Sequence, residues 1–421
     1  MKYDLQCANC SSVFGPSNRA MTCPKCGSSL DTVYALEKVK ETFSKESLER
    51  RAATVWKYHE LLPVEDLDKV VTMGEGGTRL LHAGRITNHV NLKRLYFKDE
   101  SRNPTGSFKD RKATVSITKA SEFGFKTVAC ATAGNAGSSV AAYAAKAGMR
   151  TIVFAFKNVT RTKLAKLVAY GAEVFIVEGT SWDANNLAAA SCKKHGWCNM
   201  VAASRYNPYV KDGAKTEAIE ICEQLGWTAP DWLIVPVGGG CGLASCWKGL
   251  KELKQIGLIS DLPRIVGIQG AACAPLVRAF QLNLPPGKIE RLPNAHTIAH
   301  SIEDDYPPDG DQALKAIRET GGLAVGVEDN KMLWAQKLIA KTEGLFVEPA
   351  SAGTIAAASQ LLDDGTIDPN DTVVAIATGF GLNEPEAILQ SMHEPITIQP
   401  TLESLDEALS GRAYNRAWSI V

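Results

Sequence analysis

A chain of 421 residues that is 45% hydrophobic and 22% charged can bury a large core, and its length points to two or three domains. Its 46 basic residues balance 46 acidic ones, so no net field draws nucleic acid or an anionic membrane, and the expected partner is a small molecule. Tyr3, Asp4 and Gln6 follow Met1 and Lys2 with no apolar signal core, and no run approaches the roughly 18 uncharged apolar residues of a membrane span, so no membrane contact and a cytoplasmic location are expected.

Eleven cysteines, four in two CxxC pairs and seven scattered singly, do not form a secreted disulfide framework and suit a reducing compartment. Cys7-Ala8-Asn9-Cys10 and Cys23-Pro24-Lys25-Cys26 are separated by twelve residues that include Gly15 and Pro16. Two CxxC turns can aim four thiolates at one point, which suits a closed structural zinc site; redox pairs or unligated cysteines are the alternative. From Leu36 to Leu61 the chain is charged and helix-forming, with Leu48, Trp56 and Tyr58 among many Lys, Glu and Arg, and reads as a helical connector. Gly74-Glu75-Gly76-Gly77-Thr78 marks a turn, and Leu92 to Lys98 reads as a strand.

Asn103-Pro104-Thr105-Gly106 stops that strand, and Arg111 to Phe123 has helical composition, so Lys109 stands where a turn enters a helix. A lysine partly desolvated there loses proton affinity and becomes a nucleophilic amine able to form Schiff bases; a solvated helix-start lysine is the plainer reading. Beyond it strands and helices alternate: Thr127–Thr132, Val140–Ala147, Thr151–Phe156, Thr160–Tyr170, Glu173–Val177, Trp182–His195, Gly213–Leu225, Trp232–Val237, Leu243–Ile256 and Arg264–Gln269, with Val373–Ala377 as a late core strand. This predicts parallel sheets covered on both faces, with ligands at the carboxyl ends of the strands.

Two strand ends have the chemistry of anion sites. Gly238-Gly239-Gly240-Cys241-Gly242 lies between an apolar strand and a helix, where bare backbone N–H groups and the helix N-terminus can cradle a phosphate; it is neither a Walker nor a GxGxxG sequence, and a structural glycine turn is the plain alternative. Thr132-Ala133-Gly134-Asn135-Ala136 opens a second helix with small residues and can take a carboxylate, or can be a simple αL turn. Lysine, phosphate cradle, carboxylate site and Thr378-Gly379-Phe380-Gly381 together match the needs of pyridoxal 5′-phosphate and an amino-acid substrate.

With GEGGT at Gly74, NPTGSFKDR at Asn103, DGAKT at Asp212, WKGLKEL at Trp247, FVEPASA at Phe346 and ATGFGLNEP at Ala377, the chain resembles the threonine synthase family of fold-type II pyridoxal enzymes from about Gly74 to about Pro385. The resemblance implies two parallel-sheet α/β domains and a small N-terminal zinc-ribbon-like module. The expected divisions are 1–31 for the ribbon, 32–72 for the connector, 73–126 with 205–392 for the large cofactor-binding domain, 127–204 for the smaller domain and 393–421 for an extension. It implies Lys109 as the Schiff-base residue and proton shuttle, Asn135 beside the cofactor's phenolic oxygen, Gly238 to Gly242 around its phosphate and Thr378 opposite the pyridine nitrogen. A neutral hydroxyl there favours elimination and replacement over transamination. Structural zinc and a homodimer are also implied.

The implied reaction turns O-phosphohomoserine and water into threonine and phosphate. Ala133, Ala136 and Gly137 stand where the family usually has hydroxyl residues, Cys241 and glycines fill a loop that usually contains Asn, and Val210 stands where an Arg is common. These groups would hold the substrate's phosphate. Arg102, Lys112, Arg205 and Lys211 are candidates to restore the charge. A β-elimination or β-replacement enzyme, like a serine or threonine dehydratase or a phosphoserine-using synthase, is the alternative, and an inactive zinc-ribbon interaction protein is a third reading. His296 and His300 lack a nearby acid or third His and read as structural or rim residues; Trp182, Trp232, Trp247 and Trp334 read as core or interface aromatics. Cys130, Cys192, Cys198, Cys222, Cys246 and Cys273 read as small buried hydrophobes.

Overall fold

The computed structural model describes residues 3–132, 134–156, 159, 161–391 and 395–410. At the N-terminus, β1 (Tyr3–Cys7) alternates buried with accessible residues and pairs antiparallel with β2 (Val13–Phe14) and β3 (Leu30–Tyr34). Cys7 faces Leu30 across the β1–β3 ladder, which brings both CxxC turns to one end of the sheet. The third strand runs past residue 31, where the ribbon was expected to end. The connector is helical but broken, into α1 (Leu36–Val39), α2 (Lys45–Glu49) and a 3-10 segment, Val55–Leu61. Ser44 and Ser47 close a capping box at the start of α2, and Leu48, Val55, Tyr58 and Leu61 are buried.

The α/β body follows in the order β4 (Leu80–His82), α3 (Thr87–Val90), β5 (Arg94–Asp99), α4 (Lys109–Glu122), β6 (Thr127–Ala131), α5 (Asn135–Lys146), β7 (Arg150–Phe156), α6 (Arg161–Ala169), β8 (Glu173–Val177), α7 (Ser181–His195) and β9 (Cys198–Asn199). It continues with α8 (Val210–Gln224), β10 (Trp232–Pro236), α9 (Cys241–Ile256), β11 (Arg264–Gly270), α10 (Pro275–Gln281), α11 (Gly310–Glu319), β12 (Leu323–Val327), α12 (Asp329–Glu343), α13 (Pro349–Asp363) and β13 (Thr372–Ala377). The expected alternation is present. Yet α4, α5, α8 and α9 begin before the apolar periodicity does, because their first turns carry polar or small residues, and in α8 Lys211 and Asp212 are bonded to the N-terminal ribbon. β12 and α11 to α13 carry no assignment from the sequence.

Two sheets organise this body. One has six strands in the order β12-β11-β10-β13-β5-β4, parallel except where β4 pairs antiparallel with β5; the other has the order β8-β7-β6-β9 and is parallel throughout. The buried strand β10, Trp-Leu-Ile-Val-Pro, is apolar at every position, as a strand covered on both faces must be.

Helix α4 joins the parts. A Cβ on Gly213 of α8 would stand 1.8 Å from the Arg111 carbonyl oxygen of α4, so only glycine permits this approach. Around it Arg111 donates to Glu100 (2.7 Å) and Glu220 (2.7 Å), and Lys98 donates to Glu220 (2.8 Å). The ribbon is pinned to α8 and α9: the Asp31 carboxylate accepts from Lys211 (2.7 Å) and Lys248 (2.9 Å), and Thr32 donates to Asp212 (2.6 Å). No helix among the described residues is long and apolar enough to cross a membrane.

Candidate active site

Parallel pairing of β13 with β5 places the loops after these strands side by side. The loop after β5 turns at Gly106, where φ is +85°, and then zips onto the loop after β13. Phe108 N–H donates to the Thr378 carbonyl (3.0 Å), and Phe380 N–H donates to that of Gly106 (2.9 Å). Lys109 therefore starts α4 in a fixed position. Its side chain is partly open to the cleft, with Nζ 4.5 Å from the Phe108 ring centroid. Burial, and then the positive charge of Lys112, lower its pKa to about 7, while Cys241, Asp304 and Glu348 act in the opposite direction. An amine so placed is a nucleophile and a base near neutral pH.

The glycine loop lies beside it. Gly240, with φ +90°, precedes the first residue of α9, and no side chain caps that helix. Its leading N–H groups are thus free to receive an anion. The loop's other side is crowded: a Cβ on Gly240 would stand 2.8 Å from the Asp309 carbonyl carbon, and one on Gly242 would stand 3.3 Å from the Phe108 ring. Asp304, which sequence reasoning missed, abuts Gly238, whose Cβ would stand 2.9 Å from Oδ2. Burial pushes the Asp304 carboxyl up to about 6 against the pull of Lys109, with Asp305 and Glu303 adding to the rise. A carboxyl in that range can hold a proton beside a phosphate.

The second small-residue turn is built differently. Thr132 Oγ1 accepts from Gly134 N–H (3.0 Å) and Gly137 N–H (3.3 Å), so its hydroxyl holds the turn together. Asn135 opens α5 and donates through Nδ2 to Glu348 Oε1 (2.6 Å), and Ala136 lines the cavity beside Lys109. Ala133 lies outside the described residues. Glu348 precedes α13; burial and then Glu384 push its carboxyl up to about 7. Lys163 of α6 donates to Glu384 (2.9 Å), and Lys166 bonds Asn383, so the smaller sheet's helix reaches the loop after β13. Thr378 is 6% exposed, with its hydroxyl 3.0 Å from that of Ser351.

Residues 71–379 match the pyridoxal-phosphate dependent enzyme family. The threonine synthase of Methanocaldococcus jannaschii is 40% identical over 405 residues, covering 96% of this chain and 98% of that protein. The threonine synthase of Methanosarcina acetivorans is 38% identical, covering 98% of this chain and 100% of that one. The chain belongs to the threonine synthase family. Its fold also matches maize serine racemase (TM-score 0.63, 23% identity, 75% of this chain and 91% of that one) and an O-ureido-L-serine synthase (TM-score 0.64, 21% identity, 76% and 94%).

Within this member of the threonine synthase family, the donor set fits pyridoxal phosphate: an amine of lowered pKa at Lys109, an uncapped helix start at Gly240 and a neutral hydroxyl at Thr378 are brought next to one another around Phe108. Of the four cations expected to restore charge, the structure brings only Lys112 beside Lys109. Arg102 is exposed and paired with Asp99 (3.3 Å), Arg205 is exposed over the Trp182 ring, and Lys211 is spent on Asp31 and Gln312. Their chain positions give no sign of this, because only packing decides which way a long side chain turns. His296 and His300 do have an acid beside them: Glu303 contacts both, at 3.0 and 2.9 Å.

Among the other residues read as packing, Trp232 and Trp247 are buried and Trp334 is exposed. Cys130, Cys192, Cys198, Cys222, Cys246 and Cys273 are all buried. At the ribbon, the Sγ atoms of Cys7, Cys10, Cys23 and Cys26 all lie within 4.8 Å of one another, with 3.4 Å between Cys7 and Cys26 and 3.7 Å between Cys10 and Cys23. Four sulfurs about 2.3 Å from a common zinc are about 3.8 Å apart, so the cluster has the size of a tetrahedral site. Asn9 and Cys10 N–H groups point at Cys7 Sγ, each at 3.4 Å, which supports a thiolate there.

Proposed function

We propose that this chain converts O-phosphohomoserine and water into threonine and phosphate, with Lys109 as its central acid and base. The observation that carries this reading is the Lys109 amine, with its pKa near 7, at the start of a helix whose preceding residue, Phe108, bonds the Thr378 carbonyl and packs against the glycine loop at Gly242. Bound pyridoxal phosphate supplies an electron sink for the charge left when a proton leaves the substrate's α-carbon. The N–H groups of Gly238 to Gly242 would hold the cofactor's phosphate. Asn135, whose amide donates to Glu348, and the neutral Thr378 hydroxyl are the side chains that would face the cofactor's ring, the hydroxyl without charging it. The Thr132–Ala136 turn takes the substrate's carboxylate. Lys109 Nζ removes the α-proton and returns protons as the γ-substituent leaves and water adds at the β-carbon. Cys7, Cys10, Cys23 and Cys26 would hold a structural zinc that ties the ribbon together, apart from the chemistry.

A second reading, β-elimination or β-replacement on another small amino acid, is favoured by the apolar walls that Ala136 and Val210 give the cavity next to Lys109. Assays that follow phosphate, threonine and oxo acid together separate the two. Threonine and phosphate in equal amounts from O-phosphohomoserine support the first, whereas oxo acid from serine or threonine with no threonine synthesis supports the second.

A further inference from the structure

Beyond the last core strand the chain forms two short helices, α14 (Glu386–Gln390) and α15 (Leu402–Ser410). The nine residues of α15 are too few for a helix to persist in water on propensity alone, so it needs a surface to pack on. Yet Leu402, Leu405 and Leu409, spaced along one face, are all exposed, Leu402 by 74%. A second group of exposed apolar side chains lies on the smaller sheet. Its edge strand β8 pairs, among the described residues, only with β7. Phe175 and Ile176 point to opposite faces of that edge and are 53% and 50% exposed, and Val168 of the adjoining α6 is 65% exposed. A bare strand edge with apolar flanks invites pairing and aggregation, and proteins cover such edges with a helix or loop.

The two regions are also complementary in charge. Residues 127–204 hold eight Lys and Arg against three Asp and Glu, with Lys146, Arg161, Lys193 and Lys194 exposed. Residues 386–410 hold five Asp and Glu and no Lys or Arg. The acidic segment starts beside the basic one, because Glu384, two residues before α14, accepts from Lys163 of α6 (2.9 Å). From Gln390 to Leu402 the chain can extend by about 40 Å, whereas α6, at nine residues, is only about 14 Å long.

We propose that α15 docks its leucine face on the bare edge at Phe175 and Ile176 of its own chain, with Glu403, Asp406 and Glu407 meeting the basic rim. A tethered segment meets its target at an effective concentration of about a millimolar, which favours its own chain over a second copy. The tail leaves the loop after β13, while β8 belongs to the other sheet. The docked helix therefore straps the two sheets together from outside the cleft.

The test uses the full chain loaded with cofactor. Hydrogen exchange should find the amides of residues 173–177 protected, and Leu405→Glu with Leu409→Glu should speed their exchange by about tenfold or more. Glu403→Lys with Asp406→Lys should give a smaller rise, about 2- to 3-fold, as exposed charge pairs do. A photoreactive phenylalanine analogue in place of Leu405 should cross-link to residues 161–178 at the mass of one chain. Unchanged exchange in the leucine variant overturns the proposal, as does a cross-link to any other part of the protein. So does a cross-linked dimer, which would seat the helix on a second copy.

Discussion

The two faces of α4 are both buried and both charged, but they treat charge in opposite ways. On one, Arg111 is fully enclosed and every charge it meets is answered by Glu100 or Glu220, with Lys98 and Thr78 completing the set. On the other, Lys109 and Lys112 lie near each other with no carboxylate in a salt bridge to either among the described residues, and Ser116 keeps an unused hydroxyl. A saturated polar network stiffens a scaffold, whereas an unsaturated one stores affinity for a ligand. The helix can hold the second face open because the first is closed.

The largest effect should come from the open face. Lys109→Ala is expected to lower turnover by about a thousandfold or more without lowering the melting temperature, as steady-state kinetics and calorimetry will show. A destabilised variant would mean that Lys109 is part of the scaffold. On the closed face, Glu220→Ala leaves Arg111 and Lys98 short of a partner and should cost about 3–5 kcal/mol of stability in urea unfolding. A loss below about 1 kcal/mol would show that the network is not what braces the helix.

The ribbon belongs with the closed face, since Asp31 and Thr32 answer Lys211, Lys248 and Asp212. Cys23→Ser, or zinc removal by a chelator, should release it and destabilise the body by about 2–3 kcal/mol, read from thermal unfolding alongside metal content. Equal stability with and without metal would make the ribbon an independent appendage.

The smallest effect concerns pH. Burial and then Lys112 hold the Lys109 pKa at about 7, so cofactor uptake by the apoprotein should rise as pH climbs through about 7 and the amine loses its proton. In Lys112→Met the rise should move to higher pH by up to about one unit, since protonating Lys109 no longer meets a neighbouring charge. Lysine in an unfolded chain titrates near about 10.4, so the folded value is depressed and the apoprotein should gain stability as pH rises from about 7 toward 10. Stopped-flow absorbance reads the first shift and denaturant titrations the second. An unmoved midpoint would mean that Lys112 does not act on Lys109.

The alternation of strands and helices, the threonine synthase family and the residue types at each strand end were legible in the amino-acid order alone. These follow from local patterns: apolar runs, glycines before helices, CxxC spacing. That order did not show where α4, α5 and α9 begin, because Lys109, Asn135 and Cys241 open first turns of polar or small residues that break the apolar period. Packing alone selects which of four candidate cations enters the site, brings Glu348 to Asn135, and lays Asp304 against the glycine loop. Those choices depend on long side chains and distant loops meeting in space, and sequence spacing carries no record of which way a buried side chain turns.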